Sequence, residues 1–191
     1  MGYYDQEENV REYIKMSRDY SSKHLIDILK TFLPPKTSLL ELGMGAGKDL
    51  LELSKTFKVM GSDSSQAFLD LFSKEHPEIE TMHLDVSDLN LDKSFDGIYS
   101  NKVLYHLPKK IMKESIRRQA ELLSSGGFVA HTFWEGEGEE DYLDLHFAYY
   151  SVKDIRDIFS RYFDILHLET YKEEKEGDSI FVIGRKSENP I

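Results

Sequence analysis

Three glycines at alternate positions, Gly43, Gly45 and Gly47, follow a short apolar run that ends with the acidic residue Glu41 and Leu42. Glycine lets the backbone turn sharply and approach a ligand closely, because it has no Cβ. The residues after Gly47 have the pattern of a helix, and the free N–H groups at a helix start point towards a ligand bound there. The order of strand, glycine turn and helix therefore predicts a binding site for a small polar ligand.

The residues around the turn narrow the kind of ligand. The dinucleotide-binding fingerprint requires a third glycine where this chain has Lys48. The phosphate-binding loop requires a glycine where the chain has Leu42 and Ser or Thr where it has Asp49. The charge of Glu41 would repel a pyrophosphate but would favour a cation. The turn therefore predicts a ligand that carries positive charge.

Polar residues also follow three further predicted strands. Asp63 ends the second strand about where an acidic residue binds ribose in nucleotide-binding sheets, and a carboxylate can accept hydrogen bonds from both ribose hydroxyls. Asp85, followed by Val86, ends the third strand and could accept from an adenine amino group. Asn101 follows the fourth strand. Asp63 and Asp85 have a second interpretation, since Asp is also a common helix N-cap.

These elements together resemble the class I S-adenosylmethionine-dependent methyltransferases that act on small molecules. The resemblance covers roughly residues 38–133 and includes the stretch from Phe95 to Leu107. It implies that the glycine turn and Asn101 lie against the methionine part of the cofactor, that Asp63 binds the ribose, and that Asp85 and Val86 contact the adenine. The full set of predicted cofactor-binding residues is Glu41, Gly43, Gly45, Gly47, Asp63, Ser64, Asp85, Val86 and Asn101.

The resemblance also implies the reaction, which is transfer of a methyl group from S-adenosylmethionine to a small-molecule acceptor by in-line displacement. No catalytic residue is identified by the sequence. His106, just beyond the fourth strand, is a weak candidate for a general base, and the resemblance favours a packing or hydrogen-bonding role for it instead. No metal is expected, because the spacing of the acidic and histidine residues near residues 131–146 matches no known ligand pattern.

Two other functions remain open at this point. One is an S-adenosylmethionine-binding protein without transferase activity, which would act as a sensor or a partner subunit. The other is a nicotinamide-dependent oxidoreductase on the same kind of sheet, against which the glycine spacing argues.

The elements that must position these residues alternate between strands and helices. The predicted strands are 38–42, 58–61, 79–84, 95–100, 128–133, 163–171 and 179–185, and a helix over 7–32 precedes them. This alternation predicts an α/β fold with a doubly wound, mostly parallel sheet, to which the final hairpin adds an antiparallel strand. The resemblance implies seven strands with the last one antiparallel.

We predict a single methyltransferase domain over residues 1–191. Residues 1–36 form an N-terminal helical cap, and residues 134–150 form a substrate-side loop insertion, which includes an acidic loop over 135–141. Four tyrosines of the cap either cover the cofactor or pack on the sheet. They are Tyr3, Tyr4, Tyr13 and Tyr20.

The composition limits the partners and the location. The chain has 24 Lys and Arg against 35 Asp and Glu, which gives a net charge of −11, and no basic block that would favour nucleic acid. It has no cysteine, so disulfides and thiolate chemistry are excluded. We expect no signal peptide, because residues 1–10 are polar and acidic, and no apolar run is long enough to predict a membrane span. We expect a cytoplasmic monomer or homodimer that binds a small-molecule acceptor and neither nucleic acid nor membrane.

Overall fold

The computed structural model describes Tyr4 and residues 6–188, so Tyr3 lies outside the described residues. The helices in this part of the chain are α1 (Glu7–Met16), α2 (Lys23–Leu29), α3 (Lys48–Ser54), α4 (Gln66–Glu75), α5 (Lys109–Leu122) and α6 (Val152–Phe159). The strands are β1 (Ser38–Leu42), β2 (Lys58–Asp63), β3 (Thr81–His83), β4 (Phe95–Ser100), β5 (Leu123–Trp134), β6 (Glu139–Tyr142), β7 (Leu145–Ala148), β8 (Phe163–Tyr171) and β9 (Ser179–Lys186). A short 3₁₀ turn covers Leu104–His106.

Seven of these strands form one sheet in the order β3-β2-β1-β4-β5-β9-β8. The pairs from β3 to β5 are parallel, whereas β9 runs antiparallel between β5 and β8. The chain moves outwards from β1 to β3 and then returns to the other side of β1 with β4. This reversal makes β1 and β4 the switch point, where ligands bind beyond the carboxyl ends of the strands. The predicted fold class is confirmed.

Both faces of the sheet are covered, because alternate residues of a strand point to opposite sides. Leu40 belongs to the core that includes α5 and α6, whereas Leu39 belongs to the core that includes α2 and α3. A strand buried on both faces is expected to be apolar throughout. Glu41 is the exception in β1, with only 3% of its surface exposed. A buried acid at the carboxyl end of a central strand places the candidate site there.

The predicted helix over 7–32 is wrong in one respect, since it is broken between α1 and α2. Residues 17–19 form a turn and residues 20–22 are irregular instead. Serine at positions 17, 21 and 22 competes with helical hydrogen bonding. In addition, the ammonium group of Lys48 binds carbonyl groups of this segment that a continuous helix would use internally.

The acidic loop predicted over 135–141 is also wrong in part, because β6 pairs with β7 in an antiparallel hairpin. Leu143 and Asp144 form its tight turn with φ of +50° and +59°. Two-residue hairpin turns are usually recognised in a sequence by Asn-Gly or Asp-Gly, and this turn has neither. The sequence therefore gives no turn signal, and the acidic composition of β6 conceals the strand.

Candidate active site

A cavity of about 300 Å³ lies at the switch point of the sheet. Its volume is at the lower end of the range for small-molecule sites. The cavity wall includes most of the residues predicted from the sequence, which come from four separate strand ends: Gly43, Gly45, Asp63, Ser64, Asp85, Val86, Asn101 and His106. Folding therefore brings these residues together as expected, whereas Glu41 and Gly47 do not line this cavity.

Glu41 lies in a smaller adjoining cavity of about 50 Å³, which we call the inner chamber. Tyr13, Tyr20, Glu41, Asp49 and Asn101 are among its walls. Oε2 of the Glu41 side chain is buried and has no hydrogen-bond partner among the described residues. Burial, reinforced by the neighbouring charges of Asp49 and Asp63, raises the pKa of Glu41 well above its ordinary value. A buried acid without a partner is unfavourable, so the chamber favours a cationic group beside it.

The glycine turn has the backbone geometry that its sequence requires. Gly43 and Gly47 adopt φ of +65° and +74°, in the left-handed region that favours glycine. A Cβ on Gly43 would lie 2.6 Å from the side chain of Val103, and one on Gly47 would lie 2.1 Å from the ring of Phe72. Gly43 therefore allows the turn to approach the residues after β4. Gly47 instead allows α3 to pack against α4 and lines neither cavity.

Asp63 is held by backbone groups. Its Oδ2 accepts from the N–H of Gly45 at 2.9 Å, and its Oδ1 accepts from the N–H of Ser65 at 2.8 Å. Burial raises the pKa of Asp63, although these hydrogen bonds act in the opposite direction. The helix N-cap of α4 is Ser65, not Asp63 or Ser64. A carboxylate has about four acceptor positions, so Asp63 keeps acceptor capacity for a ribose hydroxyl.

Asp85 and Asn101 differ in how firmly they are oriented. The Oδ1 of Asp85 accepts from the N–H of Ser87 at 2.7 Å, a local turn contact. The amide of Asn101 is fixed on both sides, since Nδ2 donates to Oδ2 of Asp49 at 3.0 Å and Oδ1 accepts from the hydroxyl of Thr132 at 2.6 Å. Asn101 therefore forms a rigid part of the chamber wall.

His106 has a defined tautomer. Its Nδ1 lies 2.7 Å from the carbonyl oxygen of His146 in β7. Because a carbonyl only accepts, Nδ1 carries the hydrogen and Nε2 carries the lone pair. No described residue forms a hydrogen bond with Nε2, and the side chain lines the larger cavity. Burial lowers the pKa of His106, so the ring is neutral near pH 7 and able to accept a proton.

Asp49 belongs to the site although the sequence indicated only that it breaks the phosphate-loop pattern. Its carboxylate accepts from the hydroxyl groups of Ser22 and Tyr99 as well as from Asn101. The sequence signal that could have placed Asp49 in the site was its position two residues after the last glycine. Knowledge of its partners requires the fold, since they come from β4, from the residue that follows it and from the start of α2.

Lys102 is a second residue that the sequence did not single out. Its backbone adopts φ of +54° and its amine lies 3.4 Å from the ring centroid of Trp134. The amine donates to Oγ of Ser179 at 2.8 Å and pairs with Glu173 at 3.3 Å. Burial lowers the pKa of Lys102 to about 8, although Glu173 acts against this. Lys102 thus ties the turn between β8 and β9 to the site, and no sequence pattern indicates this.

Within Tyr4 and residues 6–188, no group of three or more His, Asp or Glu side chains is arranged to hold a metal ion. His131 is buried beside Ser100, to which its Nδ1 lies at 2.8 Å, and burial lowers the pKa of His131 to about 3. His146 instead lies on the hairpin, near Asp141 and Glu139. None of the helices in the described residues has the length and apolar character needed to cross a membrane.

Residues 39–127 match the family model described as a methyltransferase domain. The matched segment extends from β1 into β5 and contains every residue predicted to bind the cofactor. This match covers just under half of the chain and supports a class I S-adenosylmethionine-dependent methyltransferase. The predicted family, the predicted enzyme class and S-adenosylmethionine as the predicted cofactor are thereby confirmed. The roles of individual residues in this methyltransferase stay predictions.

Solved structures support the same fold over nearly the whole chain. A methyltransferase from Clostridium acetobutylicum ATCC 824 is 16% identical with a TM-score of 0.75, over 92% of this chain and 96% of that chain. The N-methyltransferase NodS from Bradyrhizobium japonicum WM9, in complex with S-adenosylhomocysteine, is 17% identical with a TM-score of 0.72, over 87% and 85%. The 1,6-didemethyltoxoflavin-N1-methyltransferase from Burkholderia thailandensis is 16% identical with a TM-score of 0.73, over 94% and 87%. At such identities the similarity concerns the fold alone.

Proposed function

We propose that this methyltransferase transfers the methyl group of S-adenosylmethionine to a small-molecule acceptor. The observation that carries the proposal is the convergence of four strand ends on one cavity of about 300 Å³. Leu145 of the β6–β7 hairpin lines the same cavity, so the substrate-side insertion reaches the cofactor residues. Concave sites with a few convergent polar groups and apolar walls are typical of small-molecule binding.

The residues of the site suit the cofactor. Glu41, whose Oε2 has no partner in the described chain, would hold the cationic ammonium of the methionine part in the inner chamber, with Asp49 beside it. Asp63, with Ser64 beside it, would bind the ribose, and Asp85 and Val86 the adenine. When bound, S-adenosylmethionine supplies a methyl group that the positive charge on sulfur has already activated.

Tyr105 and His106 line the proposed acceptor side of the cavity, and Phe147 and Trp134 pack against Tyr105 without lining it. Tyr105 lies against Phe147 of β7 with ring centroids 5.7 Å apart and against Trp134 at 6.4 Å. His106 contacts both rings, tilted against Tyr105 at 4.1 Å and edge-on to Phe147 at 5.0 Å. Rigid aromatic walls orient an acceptor and exclude water, and orientation alone can supply several kcal/mol of the barrier reduction. This wall is where we place acceptor specificity.

His106 would accept the proton of an acceptor that must lose one, such as an amine or a hydroxyl. The hydrogen bond from Nδ1–H to the His146 carbonyl leaves Nε2 as the only basic position of the ring. The lowered pKa of His106 keeps that position unprotonated at neutral pH. A base positioned in this way contributes about 10²–10⁴-fold to the rate.

Two observations support a small acceptor over a polynucleotide. The net charge of −11 and the lack of a basic block disfavour phosphate contacts. The Burkholderia thailandensis structure holds bound 1,6-didemethyltoxoflavin, and NodS is an N-methyltransferase. A cytoplasmic location and a monomeric or homodimeric state remain predictions for this chain.

Calorimetric titration with S-adenosylhomocysteine tests the cofactor site. We expect the wild type to bind, Asp63→Ala to bind at least tenfold more weakly, and the exposed control Asp92→Ala to bind like the wild type. Absence of binding by the wild type would contradict the cofactor site altogether. Equal binding by Asp63→Ala and the wild type would contradict the ribose role of Asp63.

A screen with tritiated S-adenosylmethionine and a panel of small amines, hydroxyl compounds and nitrogen heterocycles tests the transfer reaction. Incorporation of the label into a panel member supports the proposal. Tight binding of S-adenosylhomocysteine without incorporation into any of them would favour the alternative, a cofactor-binding protein that acts as a sensor or a partner subunit.

A further inference from the structure

Lys48 holds the segment that links α1 to α2. Its ammonium donates to the carbonyl oxygens of Ser17 at 2.7 Å and Arg18 at 2.9 Å, and also to that of Tyr20. These carbonyls follow the end of α1, where the helix leaves acceptors without internal partners and a cation is favourable. All three ammonium hydrogens of Lys48 are therefore used on one short segment, residues 17–20.

The next residue, Asp49, holds the other end of the same segment. Its Oδ1 accepts from the hydroxyl of Ser22, while its Oδ2 accepts from Tyr99 at 2.8 Å and from Asn101 at 3.0 Å. Lys48 and Asp49 are adjacent in the first turn of α3. We call residues 17–22 the strap, because this pair of residues fixes both of its ends to the helix that follows the glycine turn.

The strap completes the wall of the inner chamber. The phenol of Tyr20 accepts from Nδ2 of Asn101 at 3.2 Å, and the ring of Tyr13 lies 3.5 Å from the position that a Cβ on Gly45 would take. Tyr13, Ser17 and Tyr20 line the chamber together with Glu41. A chamber of about 50 Å³ holds a group the size of an ammonium or a water. Its enclosure therefore depends on the position of the strap.

We propose that Lys48 and Asp49 are positioning residues, which hold the strap in place and so control the affinity for the methionine part of the cofactor. The inference rests on the proposed function. Asp63 and Asp85 lie in the larger cavity and do not line the inner chamber, which the strap helps to close. Loss of the strap contacts should therefore weaken a ligand with a methionine part and spare one without it.

Two ligands distinguish binding of the methionine part of the cofactor from binding of the adenosine part. S-adenosylhomocysteine carries the ammonium and carboxylate of methionine, whereas 5′-methylthioadenosine has the adenosine and sulfur but neither charged group. We expect Lys48→Met to raise the Kd of S-adenosylhomocysteine about tenfold or more and to change that of 5′-methylthioadenosine less than twofold. Lys48→Arg should restore part of the affinity, because it keeps the charge but presents a planar fork.

The matched control is Lys55→Met, because Lys55 directly follows α3 and its exposed side chain pairs with Glu52. It should leave both Kd values unchanged. Ser22→Ala provides a second test, since it removes the strap's contact with Asp49 without altering the acids of the chamber. It should also weaken S-adenosylhomocysteine selectively, and it decides the question if Lys48→Met fails to fold.

Equal weakening of the two ligands, or no effect on either, would overturn the role of the strap. Failure of the wild type to bind S-adenosylhomocysteine would instead refute the proposed function. Amide hydrogen exchange adds an independent measurement, since Lys48→Met should speed exchange in residues 17–22 with S-adenosylhomocysteine present. Unchanged exchange in that segment would also contradict the proposal.

Discussion

Replacement of Glu41 by Gln separates the effect of the buried acid on stability from its effect on cofactor binding. Glu41 is 3% exposed, and its Oε2 has no partner among the described residues. Gln has nearly the same volume and lacks the charge. We expect Glu41→Gln to stabilise the protein without cofactor at neutral pH and at the same time to weaken binding of S-adenosylhomocysteine.

The magnitude follows from the burial of the group. A hydrogen bond to a charged partner contributes about 1.5–3 kcal/mol, which corresponds to about 10- to 150-fold in Kd. Because Glu41 is almost fully buried, its contact with an ammonium should lie towards the upper part of this range. Asp49 remains in the chamber of the variant and keeps some attraction for the cation, so binding should not be abolished.

The directions in which stability and cofactor affinity change with pH can both be checked. Burial and the nearby charges of Asp49 and Asp63 raise the pKa of Glu41 in the folded protein. The stability that this group contributes is therefore present at low pH and is lost as the pH rises through the raised pKa, at about 1.4 kcal/mol per pKa unit. Binding of a cation favours the carboxylate, so affinity should rise with pH over the same range and a proton should be released.

Calorimetry in buffers of different ionisation enthalpy measures that proton, and thermal unfolding across pH measures the stability. The wild type should release up to one proton on binding S-adenosylhomocysteine, and Glu41→Gln should release less. The control is Glu80→Gln, because Glu80 is exposed and precedes the edge strand β3. Equal affinity and equal proton release in Glu41→Gln and the wild type would refute the reasoning.

Three further predictions concern other parts of the molecule. Gly47→Ala should lower stability by about 1–3 kcal/mol more than Gly126→Ala in urea unfolding, because both have positive φ but only the first would press a Cβ against Phe72; equal losses would contradict this packing role. With an acceptor found in the tritium screen, kcat/KM should fall on the acid side as Nε2 of His106 is protonated, and because burial lowers the pKa of His106 this fall should lie at lower pH than for an ordinary histidine. His106→Gln should lose both that acidic limb and about 100-fold in rate. An intact limb in the variant would exclude His106 as the base. Ser151→Ala should cost about 1 kcal/mol by urea unfolding, since Ser151 caps α6 in a capping box, and an unchanged midpoint would show that the cap contributes nothing.

Local patterns were sufficient for most of the fold. β1 and β4 have the predicted bounds, because each is a short apolar run between clear breaks. Pro108 directly precedes α5 as its N-cap, where the fixed φ of proline suits a helix start. The errors lie where a partner distant in sequence decides the structure. The helix break at 17–22 depends on Lys48, and the β6–β7 hairpin depends on its packing beside the 3₁₀ turn that carries His106.

The features of the site also divide into those that local sequence predicts and those that depend on the fold. The sequence alone determined the glycine turn, the acids at the strand ends and hence the class of cofactor, because these residues act through backbone geometry and charge at fixed places along each strand. Only the tertiary structure decided that Gly47 packs against Phe72, that Asp49 accepts from Ser22 and Tyr99, and that the His146 carbonyl fixes the tautomer of His106. The physical reason is that these roles are set by neighbours 20 or more residues away, and spacing along the chain carries no information about such contacts.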